Sequence, residues 1–95
     1  MKIGKFIIEN EIRQDKIRLK KLEEIGAPDV MIRGQRKMLE DLEKGGLNVS
    51  GEKSLLDLEF IKFEVKKGNG GKLYIVFDNE IKYFPNAKYG RFITR

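Results

Sequence analysis

The sequence predicts an α+β protein: an N-terminal antiparallel helical hairpin packed on a C-terminal antiparallel β-meander of three to four strands. Three observations lead there. Apolar residues recur at helical spacing up to about residue 44 and at every second position from about residue 58. Turn-forming clusters sit where such elements would end, at Gly26-Ala27-Pro28-Asp29, Gly45-Gly46, Gly68-Asn69-Gly70-Gly71 and Asp78-Asn79. Eight of the nine aromatics fall between Phe60 and Phe92, as a sheet prefers.

The first helix is expected over about 8–25, because Ile8, Ile12, Leu19, Leu22 and Ile25 share one arc at about 100° per residue. Ile17 falls outside that arc. Gly26 suits the left-handed residue after a helix end, Pro28 suits a first turn, and Asp29 complements the new helix dipole. A second helix follows over about 28–44, with Met31, Met38 and Leu42 on its apolar face beside Leu39, Val30 and Ile32. Gly34 weakens that helix by about 1 kcal/mol relative to alanine, which suggests a close approach to the first helix. Between 47 and 57 the pattern fits a turn, then either a helical turn or the start of a strand at Leu55, Leu56 and Leu58.

From there the period is two. Ile61, Phe63 and Val65 alternate with Lys62, Glu64 and Lys66, the pattern of a half-buried strand. Gly68–Gly71 reads as a hairpin turn. Leu73, Ile75 and Phe77 then face one way, with Tyr74 and Val76 off that face. Asp78-Asn79 is a second tight turn before Glu80–Phe84. Pro85-Asn86 breaks the run, and a short last strand follows over Lys88–Thr94. No linker or repeat intervenes, so one domain over 1–95 is expected, about 8–44 helical and about 58–94 meander.

Composition narrows the function classes. With no histidine and no cysteine, the commonest general base, the thiolate nucleophile and the usual zinc ligands are missing. Ser50, Ser54 and Thr94 therefore lack an activating imidazole. The expectation is a protein that is not an enzyme and uses no cofactor. Gly68–Leu73 resembles a phosphate loop only in its glycines and lysine, since Leu73 replaces the hydroxyl residue and a strand follows. The helix carboxylates interleave with lysines as solvated, salt-bridged faces do. Phe6-Ile7-Ile8 is too short for a signal peptide and no long apolar run occurs, so a cytoplasmic protein without a membrane partner is expected.

The formal net charge is +5, and its distribution is uneven. Tyr83–Arg95 holds four aromatics and three cations and no acid. Aromatics that stack bases beside cations that meet phosphates are the chemistry of nucleotide and single-strand binding. The candidate anion-binding residues are Lys82, Asn86, Lys88, Tyr89, Arg91 and Arg95. A second patch, Arg33, Arg36 and Lys37, lies on the second helix. The structural reading of the same tail places Phe84 and Phe92 in the core and Tyr83 and Tyr89 at its rim, with the bases solubilising an edge strand.

In size and in its Lys-, Glu-, Ile- and Asn-rich composition, the whole chain resembles small accessory proteins of phages and mobile elements in low-GC Gram-positive bacteria. The resemblance rests on no motif and transfers no residue role. It implies an anti-defence function in the host cytoplasm, by occluding a nucleic-acid-guided complex or sequestering a nucleotide signal. The expected function is thus a non-enzymatic basic module that binds an anionic ligand, a nucleotide or nucleic acid, and self-associates. The alternative is a protein–protein interaction or structural module that forms a homo-oligomer or docks a protein partner, with apolar residues such as Ile17, Tyr74 and Val76 left off the core faces.

Overall fold

The computed structural model describes residues 1–45, 49–85 and 90–94. Two helices, α1 (Ile3–Glu24) and α2 (Asp29–Glu43), precede a four-stranded antiparallel sheet of β1 (Phe63–Lys67), β2 (Leu73–Phe77), β3 (Ile81–Phe84) and β4 (Arg91–Thr94). The strands lie in chain order, each paired with the next, so the sheet is a meander. The α+β class expected from the periodicity is therefore correct. The chain forms two compact units, one of Met1–Phe6 with the described part of 48–95, the other the described part of 7–47.

The sheet unit is built on aromatic packing. Phe77, Tyr83, Ile75 and Phe92 are buried on one face of the sheet, together with Ile3 and Phe60. Phe6 meets Phe60 and Phe77 edge-on at centroid distances of 5.3 and 5.6 Å, and Phe60 meets Phe77 at 4.9 Å. These are the separations at which ring quadrupoles attract. Helix α1 thus begins five residues before the expected boundary, and its first turn belongs to the sheet unit. That turn is anchored by Ile3 N–H donating to Leu58 O at 2.9 Å, Phe60 N–H donating to Met1 O at 3.0 Å, and an antiparallel bridge between Lys2 and Glu59. A Cβ at Gly4 would lie 3.0 Å from Leu56 O, so glycine permits this approach. Leu56 sits on a short 3-10 helix, Lys53–Asp57, so of the two expectations for Leu55 and Leu56 the helical turn is the one that forms.

Both tight turns form as expected. Asn69–Gly71 closes the β1–β2 hairpin. At the β2–β3 turn, Asp78 and Asn79 both take positive φ, and Glu80 N–H donates to Phe77 O. The Asp78 carboxylate accepts from the backbone N–H groups of Ile61 and Lys62 at 2.9–3.1 Å, which ties the entry of β1 to that turn.

Three expectations about burial are corrected. Strand β1 is exposed along its whole length rather than half-buried, with Phe63 46% and Val65 57% accessible and Ile61, just before it, 96%. It is an edge strand at the end of the sheet's apolar face, where only Phe63 reaches the ring cluster, 4.5 Å from Phe6 and 6.4 Å from Phe60. Phe84 is not in the core, because its register turns it to the opposite face, whereas Tyr83 is 3% exposed and fully structural. Phe92 does fill the core as expected.

In the helical unit the turn has the expected chemistry. Gly26 has φ +68, and Ala27 N–H donates to Leu22 O while Gly26 N–H donates to Glu23 O, closing α1 with a Schellman-type pair of bonds. Half-buried positions recur at Ile8, Ile12, Leu19 and Leu22 in α1 and at Ile32, Gln35, Leu39 and Leu42 in α2. Met31 and Met38, assigned to the apolar face from sequence, are 53% and 56% exposed, and Ile25 is 69% exposed. The half-buried stripe on α2 runs instead through Ile32, Gln35, Leu39 and Leu42. Asp15 interrupts the α1 stripe; it is 2% exposed and accepts from Arg18 Nη1 at 3.0 Å. Burial, then the Asp15 charge, push the neighbouring Glu11 carboxyl above its ordinary range, against the pull of Arg18. Gly34 has no atom within 4 Å of where a Cβ would stand, so close helix approach is not its reason. Gly34→Ala should therefore stabilise the protein by about 1 kcal/mol, read as a rise in Tm of roughly 4–8 °C.

Candidate nucleic-acid interface

Alternation in the meander sorts side chains onto two faces. One carries the core described above. On the other, Lys66 of β1 stands opposite Tyr74 of β2, and Arg91 of β4 opposite Phe84 of β3. Tyr74 and Phe84 stack on each other, with ring centroids 5.1 Å apart and planes 19° from parallel. One row across the sheet therefore reads Lys66, Tyr74, Phe84, Arg91: two stacked rings with a cation at each end. At ordinary strand spacing it spans about 14 Å. The adjacent row reads Glu64, Val76, Lys82, Ile93.

Lys66, Tyr74, Val76, Asn79 and Lys82 line a shallow depression of about 450 Å³ on this face. Its floor is Val76, 5% exposed although it lies opposite the core. Lys66 and Lys82 rise on either side, and Asn79 closes one end with an amide able to donate and accept. Glu64 is the one acid in the two rows, and it reaches Lys66 Nζ at 3.8 Å. Lys82 and Arg91 are exposed, and no ion pair to either occurs among the described contacts. Gly68 packs beside the Tyr74 ring, where a Cβ added to the glycine would stand 3.5 Å from a ring carbon.

Of the residues singled out from sequence, Lys82 and Arg91 come together on this face. Asn86, Lys88, Tyr89 and Arg95 lie outside the described residues. Arg33, Arg36 and Lys37 belong to the helical unit, where Arg36 Nη2 is 3.1 Å from Glu23 Oε1, an exposed pair between α2 and α1. From sequence, Lys66 reads only as part of the polar face of a strand, Asn79 as part of a turn, Phe84 as core and Tyr74 as a stray apolar residue. The signal was available in the turns: counting outward from the first hairpin pairs Lys66 with Tyr74, and counting from the second sets Phe84 beside it.

Two other groups weighed for chemistry, Ser50 and Asp78, have structural partners. Ser50 Oγ donates to Gly90 O at 2.9 Å, and both Asp78 oxygens are held by backbone N–H groups. Among the described residues no cluster of three or more His, Cys, Asp or Glu side chains could hold a metal ion, and no helix is long and apolar enough to cross a membrane. No protein-family model matches this chain, nor does any curated protein or solved structure, so its own geometry is the ground for a functional reading.

Proposed function

We propose that the Tyr74-bearing face of the sheet binds a single-stranded nucleic acid or a nucleotide with more than one phosphate, as a non-enzymatic module. The observation that supports this is the stacked Tyr74–Phe84 pair bracketed by Lys66 and Arg91, with Lys82 in the next row. Bases stack on such rings whatever their identity, and the flanking cations release counterions from phosphate. A cation at each end of the row suits a ligand carrying charge at two separated points. In a cell, such binding would act by sequestration or occlusion, the phage-type anti-defence role implied by the chain's size and composition.

Fluorescence anisotropy with short DNA and RNA oligonucleotides, in a salt series and against mononucleotide competitors, tests this reading. Three cation–phosphate contacts should give a slope of log affinity on log salt of about −2. Lys82→Ala should make that slope shallower by roughly 0.7. Absence of binding at low salt, or binding indifferent to salt, would refute the proposal. The second reading, a module that docks protein, is favoured by exposed Val30, Met31 and Met38 on α2 and by Phe63 and Val65 on β1.

A further inference from the structure

The two edges of the sheet are not equivalent. On β4, Ser50 N–H donates to Gly90 O at 3.0 Å and Ser50 bridges to Arg91, so that edge is partly capped. On β1, no strand pairs with the outer edge among the described residues, and all five residues are exposed. The direction of the β1 backbone groups follows from the ladder. Asp78 N–H donates to Lys62 O and Gly68 N–H to Lys72 O, so even-numbered β1 residues bond inward to β2. Phe63, Val65 and Lys67 therefore aim their N–H and C=O groups outward.

We infer that β1 pairs with β1 of a second copy of this chain, antiparallel and centred on Val65, to form a continuous eight-stranded sheet across a two-fold axis. Three features of Phe63-Glu64-Val65-Lys66-Lys67 support this register. It aligns Val65 with Val65 and Phe63 with Lys67, so the residues with outward-facing groups bond to one another. It sets Glu64 of each copy directly opposite Lys66 of the other, twice. Centring on Glu64 or on Lys66 instead would put two like charges face to face, which is disfavoured. On the apolar face, Val65 meets its counterpart and Phe63 lies along the aliphatic stem of Lys67, covering side chains that are about half exposed in one chain.

The axis stands perpendicular to the sheet, so both Tyr74-bearing faces end on the same side. Assembly is measured without nucleic acid, so its outcome is independent of the ligand proposal. Sedimentation and native mass spectrometry across a concentration series should find a dimer. Glu64→Lys and Lys66→Glu should each raise the dimer dissociation constant by roughly 10- to 100-fold, by turning two attractive pairs into repulsive ones. Mixed together, the two variants should recover a heterodimer, because every Lys then meets a Glu. Val65→Pro, which removes an outward N–H that β2 does not use, should keep the fold by circular dichroism and abolish the dimer. A wild-type chain that stays monomeric throughout would make Lys66 and Lys67 guards of a free edge and overturn the inference. So would a dimer indifferent to Val65→Pro, or variants that fail to pair on mixing.

Discussion

Tyr74→Ala is expected to weaken binding of a short single-stranded oligonucleotide by roughly 10- to 100-fold, the ~1–3 kcal/mol that one base–aromatic stack contributes. The ring is half-buried, stacks on Phe84 and lies on the face opposite the core, so its loss removes a stacking surface without opening the core. The cross-strand pair itself should contribute only about 0.2–1 kcal/mol to stability, leaving the variant folded. Tyr74→Phe should bind nearly as well as the wild type, since stacking needs the ring and not the hydroxyl. Anisotropy titrations of the three proteins at one salt concentration make the comparison. If Tyr74→Ala binds undiminished while Lys82→Ala does not, the face is a simple cationic surface and the rings serve only the sheet.

Gly90→Ala should be the most damaging single methyl in the described chain, costing about 2–4 kcal/mol and lowering Tm by roughly 10–25 °C. Two causes add. Gly90 sits at φ +62, where an L side chain is strained by about 1 kcal/mol or more. An added Cβ would also lie 2.6 Å from the Tyr83 hydroxyl oxygen and 3.0–3.1 Å from two ring carbons. Tyr83 is 3% exposed and packs on Phe92 at 5.0 Å, so its ring has no room to yield. Gly26→Ala is the control, because φ +68 imposes similar strain with nothing within 4 Å of the new methyl. Thermal melts of both variants separate the terms. Equal losses would show that strain alone acts at Gly90.

Much of this architecture is legible in the chain because turns and periodicity are local properties. Gly26 and Pro28 end one helix and start the next through backbone preferences that need no tertiary partner. Asp78-Asn79 tolerates positive φ wherever it occurs, so the second hairpin could be placed from two letters. Alternation alone separates Tyr74 and Val76 from Leu73, Ile75 and Phe77. Errors arose where a residue's environment depends on distant chain. Phe84 and Tyr83 are adjacent aromatics, and only the pairing of Ile75 with Tyr83 decides which enters the core. Met31 and Met38 are apolar at helical spacing, yet the stripe on α2 runs through Gln35 instead.

The candidate site shows the same division. A basic, aromatic C-terminal half is a fact of composition, and Lys82 and Arg91 were named from it. That Lys66 and Tyr74 join them is a consequence of register, which sets residues from four strands in one row. Composition cannot supply that row, because residues 66 and 91 are far apart in sequence and neighbours only through two intervening strands. By itself, then, the sequence determined the element types, their order and their turns, since each rests on backbone conformations chosen within a few residues. The tertiary structure alone decided which of Tyr83 and Phe84 enters the core, which edge stays open, and which cations flank the stacked rings. Those outcomes depend on hydrogen-bond register and on the burial of Phe6, Phe60 and Phe77 against one another, interactions between parts of the chain that no local pattern connects.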